Sequence, residues 1–418
     1  MNMERETKLT KRKTSAIRKF TLICILLISM MMLGSCESSP TRIENGENGD
    51  NGKDVEPGVI TMVTTASRVI LRFLPLNDIA IEWGDGNESK IRANQTEVET
   101  THWYRNEGPH TITIIGDLLS LISRYNGLIE INTKNSNILL QRLDVSHNLI
   151  ESIDLSKNES LRSLTISHNS LSDIDLSYNT SLRDLNISRN KLTSLDVSKN
   201  KYLRSLHVSN GDSFWASNNQ INYINLQNNH DLRFLYLSRV SLKEIDLSNN
   251  LNLIILNLSG NNLQSIDLPN LSDLVTLDLS GNNLQSIDLP NLKGLVELNL
   301  INNNLHSIDV TSLTELVNLY INGNKLSEID ISKNILLIRL ALNTNQLKSL
   351  CAKENARIST VGITNNNFCE EELNSLFSTL QGGGSWGART KSIYIGNNPG
   401  TESCDRSIAT NRRWVVWD

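Results

Sequence analysis

The sequence predicts a right-handed solenoid with a parallel β-sheet on one face, preceded by a small β-sandwich and closed by a mixed α/β cap. The main observation is a 21-residue unit written twice over residues 253–294, as LIILNLSGNNLQSIDLPNLSD and LVTLDLSGNNLQSIDLPNLKG. Self-similarity at a fixed period of this length indicates stacked coils that bury their apolar faces against one another. The right hand follows from the crossover rule for parallel strands. In such a fold we expect function on a surface and not in a cleft.

The same pattern can be followed in both directions along the chain. Apolar residues occupy positions 1, 4, 6, 11, 14 and 16 of the unit, and an Asn occupies position 9. Positions 4 and 6 should point inward from a short strand, whereas positions 3, 5, 7 and 8 should face solvent. The Asn is expected to bond buried turn groups, and only Val240 interrupts its column. Units open at Leu140, Leu161, Leu182, Leu203, Leu232, Leu253, Leu274, Leu295, Leu316 and Leu337, with a half-unit at Ile358 and a degenerate one before Leu140.

The L-x-x-L-x-L-x-x-N-x-L core of these units resembles the leucine-rich repeat over residues 118–368. The 21-residue length and the second IDLS limb are closest to the internalin-like repeats of bacterial surface proteins. The resemblance implies a surface that binds another macromolecule, a protein in the first place. A glycan-binding role beside a polysaccharide uptake system is the alternative.

The first 35 residues form a predicted signal peptide. A basic stretch precedes an apolar run, Phe20 to Leu33, that is too short to span a membrane comfortably. The run ends in Leu-Gly-Ser-Cys at residues 33–36, which resembles a bacterial lipobox. The resemblance implies cleavage before Cys36 and a diacylglycerol on its thiol, which ties a protein to a bilayer without spanning it. We therefore expect a lipid-anchored protein of the bacterial cell envelope, at the outer membrane and exposed at the surface; an uncleaved signal anchor is the alternative.

Two segments separate the signal from the repeats. Residues 36–57 contain almost no large apolar side chain and should form a flexible tether. Residues 58–117 alternate in strand fashion between turn signals, which predicts a small β-sandwich. Their WGDG, HWY and GPHTITI motifs, at residues 83–86, 102–104 and 108–114, resemble a polycystic-kidney-disease (PKD)-type domain, although Trp103 is inserted before Tyr104. We interpret this domain as a spacer and as the lid on the first coil.

Residues 369–418 are predicted to cap the last coil. Glu370 to Leu380 has helical periodicity with acidic residues in its first turn, and two short strand patterns follow at residues 392–395 and 413–417. Cys369 and Cys404 flank this element and are the preferred disulfide pair, in a compartment that permits disulfides. The reduced state remains open, as does the state of Cys351.

Charge and motifs exclude several classes of function. Without its signal the chain keeps 33 basic and 43 acidic residues, a net charge of −10, which argues against nucleic acid and against electrostatic adhesion to anionic lipid. No cofactor is expected, and the protein should be a monomer. Residues 383–387 match G-x-S-x-G, but they follow a helix in a glycine-rich loop, whereas a nucleophile elbow needs a strand before it and a helix after it. We therefore expect no enzyme.

Two columns of titratable side chains have a structural and a metal-binding interpretation. His147 and His168 occupy position 8 of adjacent coils, where they are either exposed neighbours or a metal pair; two ligands alone make a poor site. A column of Asp residues lies at position 15, and we favour the interpretation that they form Asx-type turns over the alternative that they bind calcium. Its members are Asp154, Asp175, Asp196, Asp246, Asp267, Asp288, Asp309 and Asp330.

One irregularity predicts the ligand site. The coil that opens at Leu203 carries eight extra residues between positions 6 and 9, and the next coil places aromatic residues at outward positions. In a chain with few aromatics, this cluster is the best candidate contact patch. Equally open is that Trp215 only covers Phe234. The candidate residues are Phe214, Trp215, Phe234, Tyr236 and Arg239, with Tyr320 four coils further on reached only by a large ligand.

Overall fold

The computed structural model describes residues 57–135, 139–211, 218–290, 292–382 and 390–418, which belong to one compact unit, Pro57–Asp418. Cys36, Phe214, Trp215, residues 36–56 of the tether and the G-x-S-x-G motif lie outside the described residues. Within the described ranges, no helix has both the length and the apolar character needed to cross a membrane.

Eight strands precede the repeats. They are β1 (Val59–Thr64), β2 (Arg68–Pro75), β3 (Ile79–Glu82), β4 (Glu88–Ile91), β5 (Val98–Trp103), β6 (His110–Ile115), β7 (Leu118–Ile122) and β8 (Leu128–Asn135). Five of them form an antiparallel sheet in the order β4-β3-β6-β1-β8. The other three, in the order β7-β2-β5, form one end of a 16-stranded sheet. Alternate residues of β1 and β2 are buried, which is the pattern of strands with one face on a core.

The WGDG, HWY and GPHTITI motifs meet in this part of the chain. The Trp83 ring, 1% exposed, stacks on His102 with centroids 4.6 Å apart. The Tyr104 hydroxyl donates a hydrogen bond to the Trp83 carbonyl (2.8 Å), and its ring stacks on His110. Burial would raise the pKa of Asp85, but hydrogen bonds from His102 and from the Asn87 amide lower it to about 2. Trp103 points the other way, being 64% exposed, so the motif residues on both sides of it still pack together.

Strand β7 joins the two parts of the chain. It pairs antiparallel with β2 and parallel with the first repeat strand, β9 (Arg142–Asp144). Strand β8, also within the predicted first coil, pairs antiparallel with β1. The predicted boundary between residues 117 and 118 therefore does not coincide with a break in the hydrogen bonding, because the solenoid sheet continues the preceding sheet.

The repeats each contribute one three-residue strand, and neighbouring strands pair parallel and in register. Leu143, Leu164 and Leu185, all at position 4, are paired and buried. The repeat strands after β9 are β10 (Ser163–Thr165), β11 (Asp184–Asn186), β12 (Ser205–His207), β13 (Phe234–Tyr236), β14 (Ile255–Asn257), β15 (Thr276–Asp278), β16 (Glu297–Asn299), β17 (Asn318–Tyr320), β18 (Arg339–Ala341) and β19 (Thr360–Gly362). The apolar positions of the repeat form one continuous hydrophobic core.

The Asn at position 9 links adjacent coils as predicted. Asn282 donates through Nδ2 to the carbonyls of Leu258 and Leu279 (both 3.0 Å), and its Oδ1 accepts from the Leu263 amide (3.1 Å). Where Val240 interrupts the column, its amide donates to Oδ1 of Asn261 in the next coil (3.1 Å). Asn210, at the start of the insertion, donates through Nδ2 to the Arg239 carbonyl (2.5 Å), next to Val240 in sequence.

A second Asn column lies at position 19. In Asn179, for example, Nδ2 donates to the carbonyls of Leu155 and Asn158, while Oδ1 is buried without a hydrogen-bond partner. The predicted apolar replacements Leu271, Leu292 and Leu313 are all fully buried. The replacement removes a buried oxygen that would otherwise lack a partner, a situation that costs about 1–3 kcal/mol per group.

The sheet continues after the repeats. Helix α1 (Glu370–Thr379) buries Leu373, Leu376 and Phe377, and it is followed by β20 (Lys391–Tyr394), α2 (Ser407–Thr410) and β21 (Trp414–Trp417). Both strands extend the sheet in parallel, β20 on β19 and β21 on β20.

The preferred disulfide is absent, and this corrects the prediction. Cys369 and Cys404 are free thiols, as is Cys351. Cys369 is the N-cap residue of α1, where its amide donates to the Glu372 carboxylate (2.9 Å), whereas the Cys404 thiol donates to the Thr401 carbonyl (3.4 Å). The Cys369 amide and the Cys404 thiol therefore each bond within a local turn.

Candidate ligand-binding face

Position 8 of the repeat has a left-handed backbone, and the two halves of the solenoid fill it differently. His147, His168, Arg189 and Arg239 have φ between 55° and 59°. Later coils use residues that tolerate this conformation, namely Gly260, Gly281, Asn302, Gly323 and Asn365, with Thr344 as an exception. A side-chain-bearing residue in this region costs roughly 1–2 kcal/mol relative to its ordinary conformation. The early coils thus have large side chains at a position where the backbone conformation favours glycine.

The histidines of this column stack on one another. The ring of Tyr125, one coil earlier, lies 4.1 Å from that of His147, and the His147 and His168 rings are 3.9 Å apart. Both histidines are half-buried and not exposed as expected, because the left-handed backbone lays each ring on its neighbour. Burial, together with the neighbouring His147 and Arg189, lowers the pKa of His168 to about 4. Its Nδ1 is buried without a hydrogen-bond partner.

A second ring stack lies on the strands themselves. Tyr236 at position 5 stacks on His207, the equivalent residue of the preceding coil, with centroids 4.3 Å apart. Burial lowers the pKa of His207 to about 4 and raises that of Tyr236. Phe234 is half-buried between Ser205 and Ile255, its strand partners, which are 6% and 5% exposed. The Phe234 and Tyr236 side chains therefore share one surface, as predicted.

Arg239 stands at the end of this surface. Its side chain is exposed, and its stem packs over Gly260, where a Cβ would lie only 2.5 Å from the Arg239 Cγ. The ends of the inserted loop lie beside it, because Asn210 bonds both the Arg239 carbonyl and the Asn219 backbone. The loop that carries Phe214 and Trp215 therefore leaves and rejoins the coil at the Arg239 edge. Whether Trp215 covers Phe234 stays a prediction.

Tyr320 is not brought into this cluster. Tyr320 is half-buried on β17, at position 5 of its repeat unit, and its partners on the neighbouring strands are Asn299 and Ala341. Four strand spacings separate it from Tyr236, or roughly 19 Å. Only a large ligand could contact both.

Sequence reasoning missed several residues of the face. His207 and Tyr125 complete the two ring stacks, and Arg124 forms an ion pair with Asp144, whose side chain is almost fully buried. The sequence could have revealed His207, because aligning the repeat units places it at position 5, beside Tyr236 of the next coil. The signal for Tyr125 and Arg124 was weaker because they lie in the degenerate first unit.

The Asp column forms turns, as favoured by the sequence. In the copies that have Ser or Thr two residues later, Oδ1 accepts the amide of that residue at 2.8–2.9 Å, as in Asp154, Asp175 and Asp330. These backbone hydrogen bonds hold the pKa of each carboxyl below its ordinary value. Within the described part of the chain, no group of three His, Cys, Asp or Glu side chains is arranged to hold a metal ion.

Comparison with known proteins identifies the fold. No protein-family model matches the chain, and no curated protein matches its sequence. The internalin inlF of Listeria monocytogenes has a TM-score of 0.59 at 21% identity, covering 72% of this chain and 86% of its own. The leucine-rich-repeat protein LIC12759 of Leptospira interrogans gives 0.51 at 21% identity, covering 68% and 78%. The LRIM1/APL1C complex gives 0.50 at 20% identity, covering 63% and 53%. The chain therefore has a leucine-rich-repeat solenoid fold.

Proposed function

We propose that this chain is a non-catalytic lipoprotein of the bacterial cell envelope that binds a protein partner through the exposed face of its parallel sheet. It is anchored through Cys36 at the outer membrane, exposed at the surface, and held away from the bilayer by the tether at residues 36–57. The PKD-like β-sandwich serves as spacer and lid, and residues 369–418 serve as cap. It works as a monomer without a cofactor.

The observation that carries the proposal is the column of large side chains at position 8. Strained backbone positions concentrate at functional sites, where the strain is tolerated for the sake of the side chain displayed. Here His147, His168, Arg189 and Arg239 hold such positions, whereas glycine or asparagine fills most of the same column further on. The buried, unpartnered Nδ1 of His168 is a further polar group that the fold alone does not require.

The chemistry of the face favours a protein partner. Aromatic residues and Arg are the side chains enriched among interface anchors, and the face combines Phe234, Tyr236 and Arg239 with the loop that carries Trp215. Structural neighbours support the same class of function, since they include an internalin and the LRIM1/APL1C complex.

The anchor has its own test. Cys36→Ala should release the protein from the membrane fraction or leave it as an uncleaved precursor. A processed Cys36→Ala protein that remains in the membrane fraction would disprove the lipoprotein assignment.

The face is tested by capture of extracellular-matrix proteins with the purified full-length chain, in parallel with a glycan array. Trp215→Ala and Tyr236→Ala should each weaken capture by about thirty-fold, the cost of truncating one interface anchor. The matched control is Tyr178→Ala, which truncates a tyrosine that is 52% exposed away from the sheet strands.

The stability of each variant decides the interpretation. Trp215→Ala should leave the urea midpoint unchanged, whereas Tyr236→Ala also removes a ring stack of about 1 kcal/mol. If Trp215→Ala lowers the midpoint and leaves capture intact, the loop is a structural patch and the proposed face is wrong. Glycans retained on the array, with no matrix protein captured, would replace the protein partner by a glycan.

A further inference from the structure

A column of arginines runs along the opposite end of the strands from position 8. Position 2 is Arg in four consecutive coils, and all four side chains are exposed. In the five coils that follow, the same position is Ile or Val, and two of these residues, Val275 and Val296, are 7% and 1% exposed. The fold therefore accommodates apolar residues at this position and does not require arginine. We call Arg162, Arg183, Arg204 and Arg233 the arginine column.

The backbone fixes the spacing of the arginine column. The Arg183 amide donates to the Arg162 carbonyl (2.8 Å), Arg204 to Arg183 (2.7 Å) and Arg233 to Arg204 (2.9 Å). These bonds place the four residues directly beside one another on adjacent coils, including the coil with the insertion. The side chains thus leave the backbone at the strand spacing of about 4.8 Å, and the column is about 14 Å long.

Among the described residues, none of the four guanidinium groups makes an ion pair or a side-chain hydrogen bond, in contrast to Arg124 with Asp144. Asp184, exposed at the next position of β11, attracts Arg183 and Arg204 through space but is not hydrogen-bonded to either. Like charges directly opposite on neighbouring strands are destabilising. Such a column in a chain with an overall charge of −5 concentrates positive potential on one narrow strip.

We propose that the arginine column binds a linear acidic polysaccharide, a chain that carries a carboxylate or sulfate group on its sugar rings. A sugar ring in an extended polysaccharide advances by nearly one strand spacing, and successive rings face opposite ways. Acidic groups on one side of the chain therefore recur at about two strand spacings, in register with every second arginine. The planar guanidinium fork suits a carboxylate or sulfate, which it can bind in a bidentate manner. The arginine column borders the proposed protein-binding face, since Arg233 precedes Phe234 and the Phe234 amide donates to the Arg204 carbonyl (3.0 Å). It uses other side chains, and the proposal does not depend on the binding of a protein.

The spacing disfavours the other linear polyanions. An extended polypeptide presents side chains on one face only every second residue, about 6.6 Å apart, so its carboxylates would run out of register within the column. Duplex DNA has phosphates that advance about 3.4 Å per nucleotide along each strand, and its binding requires a basic footprint wider than one column.

The test measures binding of the full-length chain to immobilised polygalacturonate, with neutral dextran and poly-glutamate as comparison probes. The unmodified chain should bind polygalacturonate, with an affinity that falls as salt is added, and should not bind dextran. The double variant Arg183→Gln with Arg204→Gln should lose about tenfold in affinity, as expected for two exposed charge contacts. The matched control is Lys157→Gln with Lys199→Gln. Both lysines are exposed at position 18, and the two substitutions remove the same amount of charge from the other limb of the coil.

Three results would overturn the proposal: no binding of polygalacturonate by the unmodified chain, an equal loss in the control variant, or capture of poly-glutamate as strong as that of polygalacturonate. The last result would make the ligand an acidic polypeptide. If the first double variant has a lowered urea midpoint, Arg162→Gln with Arg233→Gln at the ends of the column must reproduce the loss, and unchanged binding in that variant would also overturn the proposal. Trp215 and Tyr236 are intact in all these variants, so failure of this proposal can be distinguished from failure of the protein-binding proposal.

Discussion

The N-terminal coils, which open at Leu140 to Leu232, and the C-terminal coils, which open at Leu253 to Leu337, share one backbone but differ at three positions. Position 2 is mostly Arg in the first group and Ile or Val in the second; position 8 is mostly His or Arg against mostly Gly or Asn. Position 19 is Asn throughout the first group and Leu in three coils of the second. The strands pair in the same register in both groups, so the backbone does not require these differences. The C-terminal coils show what the fold needs, and the N-terminal coils show what has been added to it.

The additions have a common physical character. An exposed column of like charges, a side chain in the left-handed region and a buried carbonyl oxygen without a partner each lower stability. All three occur together in the N-terminal coils, which also carry the inserted loop and the stack of His207 on Tyr236; the unpartnered Asn oxygen recurs at Asn334 and Asn355 of the C-terminal coils. Sites that bind ligands commonly trade stability in this way. The comparison therefore locates function in the N-terminal coils independently of the aromatic patch.

The largest effect should come from the part that both groups share, the Asn column at position 9. Asn282→Ala removes the partners of the Leu258 and Leu279 carbonyls and the Leu263 amide, all inside the stack. We expect a loss of about 1–3 kcal/mol, seen in urea unfolding as a lower midpoint at a similar slope. Asn283→Ala is the control, because that neighbour is exposed. An unchanged midpoint for Asn282→Ala would mean that the column does not hold the coils together.

A smaller effect should come from glycine at position 8. Gly281→Ala places a Cβ in the left-handed region, at φ 64°, without a close contact below 3.4 Å, and should cost about 1 kcal/mol. Gly260→Ala, at φ 66°, should cost more, since its Cβ would displace the stem of Arg239. Urea midpoints of the two variants measure the difference. Equal midpoints would show that Arg239 moves aside freely and that its packing on Gly260 does not fix its direction.

The smallest effect should be a pH dependence that originates in the N-terminal coils. Burial depresses the pKa of His168 and His207 to about 4, so the folded state disfavours their protonated forms. The stability that this provides is complete above the ordinary histidine pKa of 6.5 and is lost as the pH falls from there towards 4. Solvent reaches both half-buried rings and weakens the effect. The unmodified chain should have a lower urea midpoint at pH 4.5 than at pH 7, and this difference should become smaller in the variant His168→Asn with His207→Gln. If the variant shows a difference as large as that of the unmodified chain, the two histidines are not the source of the pH dependence.

Much of this protein could be predicted from the sequence, because a strict period transmits local information to the whole fold. Each Leu at position 4 and each Asn at position 9 has the same neighbours in every coil, so one correctly aligned unit gives the others. The register gave the turns of the Asp column, the buried replacements at Leu271, Leu292 and Leu313, and the shared surface of Phe234 and Tyr236. The helix at residues 370–379 follows from local periodicity and acidic residues at its start.

The tertiary structure decided what happens where the period fails. Strand β7 pairs with β2 on one side and β9 on the other, so one sheet crosses the predicted domain boundary, and no local pattern specifies such a partner choice. Asn210, at the start of the insertion in the preceding coil, bonds the Arg239 carbonyl beside Val240. Cys369 and Cys404 are free thiols although they flank the cap in sequence. In a regular repeat, the position of a residue within the unit predicts which residues it contacts. The structure of the insertion, of the chain ends and of the junction between sheets depends on distant groups that pack against them, and only the folded chain specifies those groups.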